Sequence, residues 1–272
     1  MATTRLYRTP GSASNQVKWT WSSWVKLGPT TAASSNLFGS TLLCAYTDAN
    51  NYTEIAFQNS GIIDFLNVTG GGTDARITTH GMFRDPNAWY HLVFVWDTAN
   101  ATGGDRMKLY VNGDRIEGTG GIAYTEPSSS LNSIMNSTSP QEIGSRAGGS
   151  NYFNGVLAET YFADGQAYAA SVFGETDSTS GAWIANTSPS VTFGTNGYHM
   201  KYATGAFGTD SSGESNTMTV AGTMTTTKDT PDNNFCTMNA LDNYYAGAAL
   251  SNGMNTMVSN ASNSAYLRGS MS

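Results

Sequence analysis

The sequence predicts an all-β protein, an antiparallel β-sandwich jelly roll over residues 1–165 followed by a mostly extended C-terminal region. Three observations predict it. Residues 88–97, AWYHLVFVWD, alternate large apolar and aromatic side chains with the period of two that marks a buried strand. After the turn-rich residues 98–104, Met107, Leu109 and Val111 alternate with Lys108, Tyr110 and Asn112, giving one apolar face and one wet face. Asn112-Gly113 then supplies the positive φ values of a type I′ turn before Asp114-Arg115-Ile116 starts again. Three strands within about thirty residues, with no helix between them, make a meander in a large antiparallel sheet.

Taken from the N-terminus, Leu6-Tyr7-Arg8 is a short strand stopped by Pro10-Gly11, and residues 17–26 form a long alternating strand ending at Gly28-Pro29. Trp19, Trp21 and Tyr7 are expected to share a sheet face, as core rather than as a sugar-stacking platform. Residues 37–46 are a further apolar strand. Residues 53–58 and 61–68 pair through Asn59-Ser60-Gly61, and residues 75–80 follow the Gly70-Gly71-Gly72 break. Phe83-Arg84-Asp85-Pro86 turns into the meander. Residues 118–139 read as a long loop at a sheet end, a place where jelly rolls carry binding surfaces. Residues 141–146 return as a strand, and residues 152–162 close the sandwich, with Gly155 permitting a bulge or a close approach.

The character changes after Gly165. Residues 166–204 read as one or two helical turns (166–173) and two short strands (191–193 and 198–202), all packing on the jelly roll. Residues 205–272 are Ser/Thr/Gly-rich and extended. The part to Asp232 lacks the apolar anchors of a core, so it either lies along the jelly roll or crosses to a neighbouring subunit. Residues 265–272 resemble the opening strand of a further β domain.

The stretch AWYHLVFVWDTAN…DRMKLYVNG resembles the central meander of laminin-G and pentraxin modules, within the concanavalin A-like jelly-roll superfamily. NYFNGVLAETYFADG (residues 151–165) resembles the closing strand of that family. The opening YRTPGSASNQVKWTWSSWVK, together with FGETDSTSGAWIANT, NGYHMKY and TPDNNFCTMNALD, is similar to modules of tailed-phage virion proteins. That resemblance implies a place in a fibre, an appendage or a head decoration.

Composition bounds the rest. Charged residues are 12% and hydrophobic residues 39%, while 14 Tyr, 11 Phe and 6 Trp supply ample core. A net charge of −7 argues against a nucleic-acid partner, which needs clustered Lys and Arg. No apolar run is long enough to span a membrane, and residues 2–10 lack the apolar core of a signal peptide, so folding in a cytoplasm is expected. The two cysteines, Cys44 and Cys236, make no disulfide framework and read as buried thiols.

Catalytic motifs are missing. Glycosidases of the superfamily carry E-x-D-x-E or E-x-D-x-x-E on one strand, placing an attacking and a protonating carboxylate on one face. Glu159, Glu175 and Asp177 lack that spacing. His80, His91 and His199 are isolated, and His91 within an apolar strand reads as a structural histidine. Relatives bind calcium at the sheet rim through Asp and Asn oxygens. Here Asp48, Asn50, Asp97 and Asp105 flank turns and offer hard oxygen donors, with Asp97 and Asp105 the metal candidates. Asp and Asn also favour turns on their own account.

The expectation is a non-enzymatic virion structural protein. Its lectin-like sandwich would meet host-surface glycans and would pack with copies of itself and with other virion proteins. A purely architectural subunit without ligand is the second reading and a glycan-degrading enzyme the third.

Overall fold

The computed structural model describes residues 3–28, 40–58, 61–83, 85–233, 237–243, 249–251, 256–258 and 267–270. Its strands are β1 (Arg5–Arg8), β2 (Lys18–Leu27), β3 (Ser40–Asp48), β4 (Asn51–Phe57), β5 (Ile63–Thr69), β6 (Gly72–Thr79), β7 (Trp89–Asp97) and β8 (Met107–Val111). They continue as β9 (Asp114–Ile116), β10 (Ile122–Thr125), β11 (Gln141–Ile143), β12 (Gly155–Asp164), β13 (Gly174–Thr176), β14 (Trp183–Ala185), β15 (Tyr198–Met200) and β16 (Thr219–Ala221). Four short strands, Thr237–Asn243, Ala249–Ser251, Thr256–Val258 and Leu267–Ser270, follow as two small pairs. Pro29, residues 37–39, Asn59, Ser60, Arg84, Cys236, residues 265–266 and residues 271–272, which carried sequence expectations, lie outside the described residues.

An eight-stranded sheet runs β10-β6-β5-β4-β3-β11-β1-β16, and a six-stranded sheet runs β15-β12-β2-β7-β8-β9. All of these pairings are antiparallel. This is the sandwich that the sequence predicts. The period of two decides what meets inside: Trp19 and Trp21 of β2 oppose Trp96 and Phe94 of β7, and Trp19, Phe94 and Trp96 meet Phe65 from the other sheet. Trp19 packs edge-on against Phe65 at 5.6 Å and stacks on Trp96 at 6.3 Å. Burying such rings supplies roughly 25 cal/mol per Å² of apolar surface, the main term holding the two sheets together.

Tyr7 does not join the two tryptophans. It sits in the other sheet, in register with Glu142 and on the opposite face of β1 from buried Leu6. The type I′ turn forms where expected, with φ of 49° at Asn112 and 88° at Gly113.

Several expectations are corrected. Residues 166–173 form a single 3-10 turn, Ala170–Val172, because Gly174 begins a strand immediately afterwards. The long loop 118–139 contains a helical turn, Gly118–Gly121, and β10, which adds an edge to β6. Residues 191–193 form no strand. The segment 205–233, by contrast, takes the first of its two expected courses and lies along its own jelly roll: β16 pairs with β1, and Met218 is buried.

Residues 166–193 form a third layer on the outward face of the six-stranded sheet. Val93, Val95 and Tyr161 of that face pack with Ala170, Phe173, Tyr168, Trp183 and Phe193 in a second apolar cluster. Consequently Thr20, Ser22 and Trp24, which alternation alone would turn to water, are buried; Lys26, on the same face, is buried against Asp229.

Candidate functional site

The third layer and the strap behind it shape the site. β15 pairs with β12 only over Thr160–Phe162, so among the described strands residues 155–159 have no partner on the side away from β2. Residues 223–230 pass beside that open edge, and the gap between them is a cavity of about 360 Å³. Its floor is apolar, made by Leu6, Ile143, Phe153 and Leu157, with Trp89, Tyr202 and Phe207 supplying aromatic rings. One wall is the edge of β12 and the other carries Thr223, Thr225, Thr226, Thr227 and Thr230. Aromatic faces beside hydroxyls and main-chain polar groups can hold a ring that is apolar on its faces and polar at its rim.

The strap is fixed at both ends. Thr4 Oγ1 donates to the Thr223 carbonyl at 3.0 Å, and Gly222 crosses so close to residues 3 and 4 that a Cβ there would meet the Thr3 carbonyl at 2.7 Å. At the far end Lys26 Nζ donates to Asp229 Oδ2 at 2.5 Å, and Trp89 Nε1 donates to Asp229 Oδ1 at 3.0 Å. Both charged side chains are buried, so each is neutralised inside the protein. Gly155, at the mouth, makes the close approach expected of it: a Cβ would sit 2.3 Å from the Lys26 carbonyl. The bulge falls further on, between Ala158 and Tyr161, with Glu159 at φ 48°.

Glu159 follows Ala158, which lines the cavity, and is part-exposed. Its Oε2 accepts from His199 Nε2 at 2.7 Å and from the Tyr161 hydroxyl at 3.0 Å. Burial pushes its carboxyl up, but the His199 bond and charge and the Tyr161 bond outweigh this and hold it below the usual carboxylate range. The Tyr161 hydroxyl is pushed well above its ordinary value by burial and by Glu159, so it stays a neutral donor.

His91 is buried on the outward face of β7, opposite Trp24 of β2. Trp183 Nε1 donates to His91 Nδ1 at 3.0 Å, which leaves the proton on Nε2, 2.9 Å from Ser22 Oγ. A nucleophilic serine needs the opposite polarity, with Nε2 accepting the hydroxyl proton. Burial lowers the His91 pKa to about 3, so the ring is a structural neutral imidazole, as its apolar strand suggested.

The metal candidates Asp97 and Asp105 stand at opposite ends of the turn joining β7 to β8. Asp97 faces Lys18 at 3.5 Å; Asp105 faces Arg115 at 2.7 Å and Lys108 at 3.9 Å. Asp48 accepts from the Asn50 main chain and the Asn51 side chain, closing its own turn. Among the described residues no three His, Cys, Asp or Glu groups gather as a metal site. Cys44 is buried, and burial together with Glu54 keeps its thiol protonated. No helix among the described residues is long and apolar enough to cross a membrane.

No curated protein matches the chain. Solved structures similar to it include the native heptameric SAP-like pentraxin of Limulus polyphemus, with 15% identity, 69% of this chain and 87% of that chain covered, and a TM-score of 0.44. Domain 4 of the extracellular arabinanase AbnA of Geobacillus stearothermophilus, solved with arabinotriose, gives 17% identity, coverage of 61% and 68%, and a TM-score of 0.42. The enzymatically active domain of tailspike protein 2 of bacteriophage CBA120 gives 13% identity, coverage of 61% and 25%, and a TM-score of 0.38. The family model described as the concanavalin A-like lectin/glucanases superfamily matches residues 3–172, more than half of the 272. With the two-sheet architecture already described, this chain belongs to the concanavalin A-like lectin/glucanases superfamily.

Proposed function

We propose that the chain is a non-enzymatic, lectin-like structural component of a phage virion, in a fibre, an appendage or a head decoration, and that it holds a host-surface glycan in the cavity beside β12. The observation that carries the glycan reading is the lining of that cavity, aromatic and aliphatic on the floor, hydroxyl and main-chain polar on the walls. The virion reading is supported by the similarity of the opening strand and the segments after Gly165 to tailed-phage modules.

A binding rather than a hydrolytic role is supported by the acids around the site. Glycoside hydrolysis uses two carboxyl groups facing one bond. Asp229 is locked to Lys26 and Trp89, Glu159 is engaged by His199 and Tyr161, and Glu142 faces Arg5 at 3.4 Å.

The test is a glycan array followed by calorimetry with the purified chain and with Leu157→Trp, which fills the half-buried floor position. Binding to a host polysaccharide that Leu157→Trp abolishes, with no release of reducing sugar, is expected. A folded chain that binds no glycan, or one that cleaves what it binds, would overturn the reading.

A further inference from the structure

We infer that the cavity beside β12 takes the terminal unit of a glycan, entering end-on, and not an internal stretch of a polysaccharide. The inference rests on the glycan reading above and adds which part of the glycan is held. It follows from how the cavity is bounded.

The rim is a closed circuit of chain in which each step is bonded to the next. β1 pairs with β11 through Leu6 and Ile143, and the Phe153 N–H donates to the Gly144 carbonyl at 2.9 Å. Phe153 leads into β12, where Val156 pairs with Lys26 of β2, and Lys26 in turn pairs with Trp89 of β7. Trp89 Nε1 donates to Asp229 Oδ1 at 3.0 Å, and the strap then returns to Thr223. Thr4 Oγ1 completes the circuit at the Thr223 carbonyl. Leu6, Ile143 and Phe153 belong to the main apolar cluster and Leu157 packs against it, so the floor is the core itself. A glycan therefore cannot run through the site from one open end to another, as it would along a groove.

Size agrees with this boundary. The cavity of about 360 Å³ lies near the lower end of the roughly 300–1,000 Å³ of small-ligand sites. It has room for a short glycan end and none for a chain that enters, turns and leaves. An internal unit carries a glycosidic link on both sides, and burying it here would need a second exit through the rim.

The experiment is calorimetry of the full chain with size-fractionated fragments of an unbranched host polysaccharide found on the array. One protein per glycan chain is expected at every length from about three to about thirty units, with a Kd constant within about twofold. Leu157→Trp should abolish this binding and so locate it in the cavity. Where only branched glycans bind, removing their terminal side units should abolish binding. A number of bound proteins that grows in proportion to fragment length, or binding that survives loss of the side units, would overturn the inference and leave the glycan reading intact. One-per-chain binding that Leu157→Trp leaves unchanged would put the recognised end outside the cavity and overturn it as well. A folded chain that binds no glycan would overturn the glycan reading itself.

Discussion

The Trp183 indole lies over the His91 imidazole with ring centroids 6.0 Å apart and planes 25° from parallel, and its N–H donates to Nδ1 at 3.0 Å. Trp24 stacks on the same imidazole at 4.9 Å. Protonating His91 would break the Trp183 bond, place two donors face to face and charge a buried ring. Burial of the ring lowers the folded pKa from 6.5 to about 3. Between those values the unfolded chain binds a proton that the folded chain refuses. This contribution to stability is therefore full above pH 6.5 and falls as pH drops towards 3, at up to about 1.4 kcal/mol per pH unit. Urea unfolding from pH 7 to pH 4 should show a shallower acid slope in His91→Phe than in the unmodified chain. Equal slopes would show that His91 titrates normally.

Asp229 is expected to be the most sensitive acid in the protein. Asp229→Ala strips buried Lys26 of its carboxylate, and breaking a buried pair in this way costs about 3–5 kcal/mol. The pair Lys26→Met with Asp229→Leu removes both charges and should recover most of that loss. Hydrogen exchange adds a local readout: protection at Asp229 and Thr230 should fall in the single variant before the sheets open. A loss below about 1 kcal/mol in Asp229→Ala would mean that the strap is held elsewhere.

What the sequence reveals follows from the range of each interaction. The Asn112-Gly113 turn, the β7–β8 meander and the inward tryptophans are local patterns, and each appears where its period or turn chemistry requires. The core role of His91 was legible from its apolar strand. Its partners were not, because Ser22 and Trp183 are 69 and 92 residues away. The Lys26–Asp229 pair spans 203 residues and leaves no local signature. Alternation in β2 names the face of Thr20, Ser22, Trp24 and Lys26 correctly as outward, yet cannot say that a later segment covers it. β10 was missed because Gly118, Gly120 and Gly121 mask its short apolar alternation.

Glu159 combines a costly backbone with profitable contacts. At φ 48° a residue other than glycine is disfavoured by about 1–2 kcal/mol. The bonds from His199 and Tyr161 to its carboxylate offset this, hydrogen bonds to a charged group contributing about 1.5–3 kcal/mol when sheltered and less here, where the side chain is 39% exposed. Its folded pKa is held below 4.5, so its contribution is present above that value and lost as pH falls through the folded pKa. Glu159→Gln should destabilise at pH 7 and much less at pH 3. The same loss at both would assign the effect to shape alone.

Gly113 is where turn chemistry and the third layer meet. Its φ of 88° suits glycine, and a Cβ there would stand 2.6 Å from the Trp183 ring. Gly113→Ala must therefore strain the turn between β8 and β9 and push Trp183 off His91. The combined cost is expected to be about 2–4 kcal/mol. Gly104→Ala is the control, since a Cβ at that position meets nothing within 4 Å. It should be neutral or stabilise slightly by restricting the unfolded chain. Chemical unfolding followed by tryptophan fluorescence reads both effects: Gly113→Ala should shift native emission to longer wavelength as Trp183 meets water. If the two alanines cost the same and emission stays put, the indole is not seated on the turn, and His91 keeps its neutral form through burial alone.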